Sequence, residues 1–287
     1  MEPNRVIDAH VHFWDPRALH YPWLRSVSAL RRPFLPADLE SLVARTVDGV
    51  LFVESNCRPS ESGRELDFVD GLAEHEPRIL GAVAYVDLSD AATRDRALEQ
   101  MRKRSRVVGV RHNIQGNSRG FCLQPEFVNG VQAVGANDLV FDLCITADQL
   151  LDATELVRRC PDTSFVLDHC GKPSIRADAF EPWATDLARL AEHANVACKL
   201  SGLASESRPE QRSHEGLFRY ARHAMYCFGA NRLMYGSDWP VVTTAGGEPA
   251  WRKLVEGFTS DWTTAGREAF FSGNAIRLYG LREHANH

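Results

Sequence analysis

Two histidines separated by a single residue are the feature of this sequence best suited to chemistry. They lie in the segment Asp8-Ala-His10-Val-His12, in which apolar and polar residues alternate as in a β-strand. Because side chains two residues apart point to the same face of a strand, we expect Asp8, His10 and His12 to share one face. Two neighbouring imidazoles can bind a metal ion or polarise a carbonyl group. Two histidines buried in a core are the alternative explanation.

Two further polar residues stand where predicted strands end. His169 follows the run Phe165-Val-Leu-Asp, and Asp238 follows Met234-Tyr-Gly-Ser. Taken alone, His169 could bond a backbone carbonyl group and Asp238 could cap a helix. Together with the histidines of the first strand, however, they predict a convergent cluster. In such a cluster the carboxylate can take a proton from water, and the imidazoles can stabilise negative charge on an oxygen.

The elements that must position these residues are strands alternating with amphipathic helices. Short apolar runs predict eight strands, at residues 6–12, 49–54, 79–86, 107–112, 139–145, 164–169, 196–201 and 232–237. Helical spacing of apolar residues predicts helices between them, among others at 62–76, 148–157 and 181–190. This order indicates an α/β protein, a (β/α)8 TIM barrel whose site lies at the carboxyl ends of the strands. A doubly wound open sheet is the alternative, although no glycine-rich nucleotide motif follows a strand.

No linker, repeat or low-complexity tract divides the chain, so we expect residues 1–287 to form a single barrel domain. The longest connection, residues 13–48 after strand one, is rich in aromatic residues and prolines. A second long stretch, residues 238–262, carries three tryptophans. Long loops on a barrel commonly shape or cover a site. We therefore expect both stretches to form walls of one pocket.

The composition is ordinary for a globular protein and excludes several functions. Of 287 residues, 44% are hydrophobic and 25% charged, and 33 Lys+Arg against 38 Asp+Glu give a net charge of -5. This mild acidity argues against a nucleic-acid partner or an anionic membrane surface, and no apolar run is long enough for a transmembrane helix. Seven cysteines without C-x-x-C spacing, and no signal-peptide core at the start, predict reduced thiols and a cytoplasmic location.

Several segments resemble a known group of enzymes. Asp-x-His-x-His on strand one with Gly-Ser-Asp on strand eight resembles the amidohydrolase superfamily of (β/α)8 hydrolases. More closely, IDAHVHFWDPRALHYPWL, GVRHNIQ, LDHCGKP, KLSGL and LMYGSDWPV resemble its lactonase branch, which includes L-fuconolactonases, L-rhamnonolactonases and 2-pyrone-4,6-dicarboxylate lactonases. The resemblance runs essentially from end to end, and HFWDP…YPWL with KLSGL favours the sugar lactonases.

The resemblance implies roles for four residues. Asp238 would be the general base that activates the hydrolytic water. His10, His12 and His169 would polarise the lactone carbonyl, either directly or through one divalent metal held with Asp238. Zinc is the metal that three histidines and a carboxylate suit best. No organic cofactor is expected.

The chain departs from the two-metal members of the superfamily. Strand four offers Arg111 and His112 rather than a bridging lysine, and strand five ends in Asp142-Leu-Cys144 without a histidine. We therefore expect one metal ion or none.

Other polar or aromatic residues near strand ends are candidates for substrate binding. They are Trp14, Glu54, Asn56, Arg111, His112, Gln115 and Lys199. Trp14 would stack on a sugar face, and Lys199 would add positive charge near the carbonyl oxygen. Arg111 would hold hydroxyl groups or a carboxylate. For each of them, a role as an ordinary polar group of the surface or of the fold is an equally good explanation. The choice between a neutral lactone and a carboxylated lactone that would face Arg111 or Arg58 stays open.

The function predicted from these observations is hydrolysis of a small-molecule lactone, in first place a sugar lactone such as L-fuconolactone. Two alternatives remain. A metal-dependent decarboxylase of aromatic acids would share Asp-x-His-x-His and the strand-eight aspartate, and it would release carbon dioxide. A non-catalytic sugar-binding barrel would bind without turnover, but buried polar groups without a use would be costly.

Overall fold

Eight parallel strands, consecutive along the chain, form the sheet of this protein in a computed structural model that describes residues 5–42 and 47–282. They are β1 Ile7–Val11, β2 Gly49–Val53, β3 Ile79–Tyr85, β4 Val107–Arg111, β5 Val140–Leu143, β6 Phe165–Leu167, β7 Val196–Leu200 and β8 Leu233–Tyr235. Each strand pairs with the next, and helices lie between them. The predicted (β/α)8 barrel and its eight strands are confirmed.

The first and last strands meet just beyond their ends and complete the barrel. Val11 pairs in parallel with Trp239. The His12 N–H donates to the Trp239 carbonyl oxygen at 2.8 Å, and the Asp238 N–H donates to the His10 carbonyl oxygen at 3.0 Å. Backbone pairing therefore brings the histidines of β1 next to Asp238, although more than two hundred positions separate them in the sequence.

Helices follow the strands and complete the βα units. They are α1 Pro36–Leu42, α2 Ser62–Ala73, α3 Ala91–Arg102, α4 Pro125–Ala136, α5 Leu150–Arg159, α6 Trp183–Ala191, α7 His214–Arg232, α8 Glu248–Phe258, α9 Thr264–Glu268 and α10 Asn274–Tyr279. The helices predicted at 62–76, 148–157 and 181–190 correspond to α2, α5 and α6. Within the described ranges, no helix has the length and apolar character needed to cross a bilayer.

Two hydrophobic clusters occupy the two faces of the sheet. Val50 and Phe52 of β2 belong to the larger cluster, together with helix residues such as Leu66 and Val69 of α2. Their neighbours in β2 belong to the smaller cluster, which lies inside the barrel and includes Leu51, Val53, Val83, Val140, Val166, Ala197 and Met234. This division is the period-two alternation of strands that are buried on both faces.

The two long connections contain short helices of their own. Residues 13–48 include the 3-10 helices Pro22–Ser26 and Ser28–Leu30 as well as α1. Residues 238–262 include α8, whose buried Trp251, Val255 and Phe258 recur at helical spacing. The prediction treated both stretches as loops because three turns of amphipathic pattern give a weak signal beside so many aromatic residues.

A β-bulge in β1 turns Asp8 away from the histidines. The pairing register with β2 shifts between Asp8 and Val11, and Ile7 and Ala9 face the inner cluster. The Oδ1 atom of Asp8 accepts the backbone N–H of His10 at 3.1 Å and that of Ser237 at 2.8 Å. The prediction that Asp8 shares a face with His10 and His12 is therefore wrong, because an inserted residue interrupts the period-two alternation.

Asp8→Ala should lower the free energy of unfolding by about 2–4 kcal/mol, since it leaves two buried N–H groups without an acceptor at about 1–3 kcal/mol each. Burial raises the pKa of Asp8 to about 7, with the bonds to Ser237 and His10 acting against it. Asp8→Asn keeps the Oδ1 acceptor and resembles the neutral carboxyl, so it should lose about 1 kcal/mol or less. Urea denaturation at pH 7 compares the two variants. If both variants lost the same free energy of unfolding, the Oδ1 atom of Asp8 would have no stabilising role as an acceptor.

Candidate active site

A cavity of about 180 Å³ opens at the carboxyl ends of the strands, where (β/α)8 barrels carry their active sites. Its lining consists of His12, Trp23, Ser55, Asn56, Arg111, Gln115, Cys144, His169, Lys172, Asp238 and Val241. Most of these residues end or follow β1, β2, β4, β5, β6 and β8. Six of the predicted site residues are among them, namely His12, Asn56, Arg111, Gln115, His169 and Asp238.

Several lining residues adopt a backbone conformation that is unusual for residues other than glycine. The φ angle is 52° at Asn56, 53° at His169, 48° at Lys172 and 62° at Asp238. Such left-handed conformations are uncommon outside glycine and cluster at functional sites. Here they make the chain turn sharply where it leaves β2, β6 and β8, and the side chains at these turns line the cavity.

Two imidazoles and a carboxylate converge on the cavity wall. The Nε2 atoms of His10 and His12 are 3.2 Å apart, and the Oδ1 atom of Asp238 lies 3.4 Å from His12 Nε2 and 3.8 Å from His10 Nε2. His12 Nδ1 donates to the Val53 carbonyl oxygen at 2.8 Å, and His10 Nδ1 lies 3.2 Å from Asp168 Oδ1. Because a carbonyl oxygen can only accept, the His12 Nδ1 atom carries a proton, and the Nε2 atoms of the two rings face each other.

This arrangement fits a metal ion. Three acceptor atoms facing one another require a cation among them, either a proton or a metal. Zinc bonds imidazole nitrogen at about 2.0–2.1 Å in a tetrahedral arrangement, which places neighbouring ligand atoms about 3.3 Å apart. His10, His12 and Asp238 form a buried group with that spacing and are the residues that would hold the ion.

His169 lies beside this group. Its ring centre is 4.4 Å from that of His10, and its Nδ1 atom is 2.8 Å from Ser201 Oγ. A Cβ atom at Gly202, where φ is +70°, would lie 2.8 Å from the His169 ring, so only glycine fits there. Burial lowers the pKa of His169 to about 4. The ring is therefore neutral at pH 7.

Asp238 is the carboxylate of the cavity wall, which the cationic side chains of Arg111 and Lys172 also line. Burial alone would raise the pKa of its carboxyl, but His169, His12 and His10 outweigh burial and hold that pKa below its usual range. Burial also lowers the pKa of His10 well below its ordinary value. A carboxylate that is ionised at neutral pH and lies beside imidazoles has the properties of a general base.

Arg111 is held by ion pairs on two sides. Its Nε donates to Glu54 Oε1 and its Nη2 to the Glu54 carbonyl oxygen, both at 2.6 Å, while Nη1 donates to Asp168 Oδ2 at 3.2 Å. The Oε2 atom of Glu54 also accepts the Asn56 N–H at 2.7 Å. Glu54 thus lies behind the cavity, where it holds Arg111 and Asn56 in place.

Trp14 and His112 are buried away from the cavity, contrary to their predicted contacts with substrate. The Nε1–H group of Trp14 donates to the carbonyl oxygens of Leu30 and Arg32, and its ring packs in the larger core. His112 accepts the Leu88 N–H at 3.1 Å and packs against aromatic side chains. The indole N–H of Trp14 and the Nδ1 atom of His112 are thus bonded inside the fold, and neither residue lines the cavity.

Lys199 is buried below His10 and does not line the cavity. Its Nζ atom pairs with Asp142 and with Asp168, and it lies 3.3 Å from His10 Nδ1. The predicted contact of Lys199 with a substrate carbonyl is thus replaced by contacts with two carboxylates and a ring nitrogen.

Trp23 and Lys172 line the cavity and were not singled out from the sequence. The indole N–H of Trp23 donates to the Ser55 carbonyl oxygen at 2.8 Å. Lys172 donates to Gln115 Oε1 at 2.7 Å. A signal was present for both, because Trp23 lies in the aromatic stretch predicted as a wall and Lys172 lies in LDHCGKP.

Known proteins resemble this chain over almost its full length. An L-fucono-1,5-lactonase of Burkholderia multivorans is 34% identical over 294 residues, with 98% of this chain and 97% of that protein covered. An L-fucono-1,5-lactonase of Burkholderia ambifaria is 34% identical over 286 residues, covering 96% and 95%. A crystal structure of an amidohydrolase from Burkholderia multivorans with bound zinc superposes with a TM-score of 0.87 at 33% identity, covering 97% of this chain and 100% of that one.

A family model described as Amidohydrolase matches residues 7–281, from the first residue of β1 to beyond α10. The matched part contains the strands, the cavity and the group formed by His10, His12 and Asp238. On this match and on the identity to its relatives, the chain belongs to the amidohydrolase family.

Proposed function

We propose that this protein hydrolyses a sugar lactone, with L-fucono-1,5-lactone as the reference substrate. The observation that carries the proposal is the ionised Asp238 carboxylate within 3.4–3.8 Å of two imidazole nitrogens at a small polar cavity. Lactone opening requires a base for water and groups that stabilise an oxyanion, and this wall supplies both. The identity to two L-fucono-1,5-lactonases supports the choice of substrate.

The reaction proceeds in two steps through the residues of the cavity wall. Asp238 takes a proton from water as the water oxygen bonds to the lactone carbonyl carbon. The negative charge then on the carbonyl oxygen is stabilised by the His169 imidazole, which lines the cavity, whereas His10 and His12 would contribute through a cation that they would hold. When the ring C–O bond breaks, Asp238 returns the proton to the departing ring oxygen, and the product is an open hydroxy acid.

A divalent metal, when bound by His10, His12 and Asp238, would polarise the carbonyl and lower the pKa of a bound water. Zinc is the metal that we propose, since the amidohydrolase structure from Burkholderia multivorans contains zinc. The chain's own contribution is the orientation of the ligands. Val53 holds His12, and Asp168 holds His10.

The charges around the cavity favour a neutral lactone over a dicarboxylate. Both ends of the Arg111 guanidinium are paired, with Glu54 and with Asp168. Lys172 bonds to Gln115 and lies 3.9 Å from a Glu206 carboxylate oxygen. A substrate carboxylate would thus meet cations that are already paired, whereas hydroxyl groups can bond to Asn56, Gln115 and Lys172.

Acid release from lactones tests the proposal directly. We expect turnover of L-fucono-1,5-lactone and related sugar lactones to exceed that of 2-pyrone-4,6-dicarboxylate at least about 100-fold, a difference of about 2.7 kcal/mol in transition-state stabilisation. The assay follows a pH indicator, with spontaneous opening of the lactones subtracted. Preferential turnover of the pyrone would overturn the substrate class. Carbon dioxide release from aromatic acids would support the decarboxylase alternative, and binding without turnover the binding alternative.

Asp238→Asn should lower kcat by at least three orders of magnitude, because the amide cannot accept the proton of water. Asparagine tolerates the positive φ at this position, so the fold should persist. The matched control is Asp138→Asn, since Asp138 also has a positive φ and is exposed on the segment between α4 and β5. Steady-state kinetics and circular dichroism compare the three proteins. If Asp238→Asn were about as active as Asp138→Asn, the assignment of Asp238 as the general base would be wrong.

Trp23→Ala should raise KM for sugar lactones about tenfold and change kcat less, since the indole forms part of the cavity wall and has no group that could take a proton from water. Loss of one aromatic contact corresponds to about 1 kcal/mol or more. Trp23→Phe keeps an aromatic face and should recover most of the affinity. The two variants are compared by their KM for L-fucono-1,5-lactone. If both raise KM equally, the indole N–H bond to Ser55 matters and the aromatic face does not.

A further inference from the structure

A chain of hydrogen bonds connects polar side chains at one edge of the cavity. Lys172 Nζ donates to Gln115 Oε1 at 2.7 Å, and Gln115 Nε2 donates to Asn113 Oδ1 at 3.1 Å. Asn113 Nδ2 in turn donates to Asn56 Oδ1 at 3.1 Å. Asn56, Gln115 and Lys172 line the cavity, whereas Asn113 does not. Asn113 is therefore the link between lining side chains that follow different strands of the barrel.

Two groups that can only donate set the direction of this chain. The Lys172 ammonium has N–H groups and no acceptor, so the Gln115 atom that it contacts must be the amide oxygen. The backbone N–H of Gln115 donates to Asn113 Oδ1 at 3.0 Å, which identifies that atom as oxygen independently. Each amide then has one possible orientation, because Asn113 must donate from Nδ2 and Asn56 must accept with Oδ1.

The fixed direction decides what the cavity edge offers to a ligand. Because Asn56 accepts from Asn113 with Oδ1, its Nδ2 group is the donor that remains for the cavity. Both N–H groups of Gln115 Nε2 are engaged, by Asn113 Oδ1 and by Cys144 Sγ at 2.9 Å. Gln115 Oε1 accepts from Lys172 and keeps one lone pair. The edge thus offers donors on Asn56 and Lys172 and an acceptor on Gln115.

We propose that Asn113 is a positioning residue for substrate binding, which orients the Asn56 and Gln115 amides so that the cavity edge binds hydroxyl groups. One hydroxyl group accepts from Asn56 Nδ2 and donates its hydrogen to Gln115 Oε1. A neighbouring hydroxyl oxygen accepts from Lys172. A sugar lactone carries such hydroxyl groups on adjacent carbon atoms. This inference deepens the proposed function and rests on it for the identity of the ligand.

Asn113→Asp reverses one amide without changing the size of the side chain at this position. The new carboxylate still accepts both N–H groups of Gln115, but it cannot donate to Asn56. Asn56 must then donate Nδ2 to the carboxylate and present Oδ1 to the cavity. A hydroxyl group between Asn56 and Gln115 would meet two acceptors with only one hydrogen. Asn113→Ala instead leaves the Asn56 amide free to adopt either orientation.

We expect Asn113→Asp to raise KM for L-fucono-1,5-lactone about tenfold and Asn113→Ala about threefold, with little change in kcat, since both variants keep the residues that activate water. δ-Valerolactone is the same six-membered ring without hydroxyl groups. Its turnover should be equal in the wild type and in both variants. Steady-state kinetics measure these values, and circular dichroism verifies that each variant is folded.

A purely structural role of Asn113 predicts the opposite order of the two variants. Alanine leaves a gap and removes every side-chain bond of Asn113, whereas aspartate keeps the volume and the bonds to Gln115. Asn117→Asp is the control for the added charge. Asn117 is exposed on the same connection, and its side chain donates to the backbone carbonyl oxygens of Asn113 and Ile114. This control leaves the Asn113 amide in place.

A binding measurement needs no turnover. Calorimetry gives the dissociation constant of the corresponding 1,5-lactam, in which an N–H group replaces the ring oxygen and the amide resists hydrolysis. Asn113→Asp should weaken lactam binding about tenfold, and Asn117→Asp should leave it unchanged. The positioning role is wrong if Asn113→Ala weakens binding more than Asn113→Asp, if δ-valerolactone loses as much as the sugar lactone, or if the wild type does not bind the lactam. A wild type that binds the lactam but opens no lactone would overturn the proposed function alone.

Discussion

The Asp168 carboxylate is completely buried at the carboxyl end of β6, and an ionised group in such a place is stable only when donors and cations surround it. Arg111 from β4, Lys199 from β7 and His10 from β1 provide them. These partners come from strands on different sides of the barrel. Compensation of the buried Asp168 charge therefore holds elements together that are distant in the sequence. His10 owes its orientation to this network, and Asp238 lies within 3.8 Å of His10.

The network lies directly above the apolar interior of the barrel. Val140, Val166 and Ala197 belong to the inner cluster, and two positions further along the same strands stand Asp142, Asp168 and Lys199. Because residues i and i+2 share a face, the barrel interior changes from aliphatic to ionic within one step along each strand. The aliphatic layer excludes water from below, which strengthens the ion pairs above it. The cavity, lined by polar side chains such as Asn56 and Gln115, forms the next layer.

The strands and the four central residues could be predicted because their signals are local. Apolar runs of four to eight residues mark strands buried on both faces, and the polar residue that ends such a run marks a site position. This reasoning placed His12, His169 and Asp238 on a common cavity, with His10 behind His12. The same reasoning was wrong for Asp8, because a bulge between Asp8 and Val11 interrupts the alternation of side chains between the two faces of the strand. No residue type in this segment predicts a bulge.

Local sequence signals could not predict which side chains the charged and aromatic residues contact. Lys199 and Trp14 have the right types for binding a substrate, yet one pairs with Asp142 and Asp168 and the other packs in the core. Trp23, nine positions after Trp14, lines the cavity instead. The sequence by itself determined the barrel, the family resemblance and the residue types at the strand ends, because these depend on period and spacing. Only the tertiary structure decided which of those residues meet the cavity and which neutralise one another, because burial of a charge is settled by partners from distant strands.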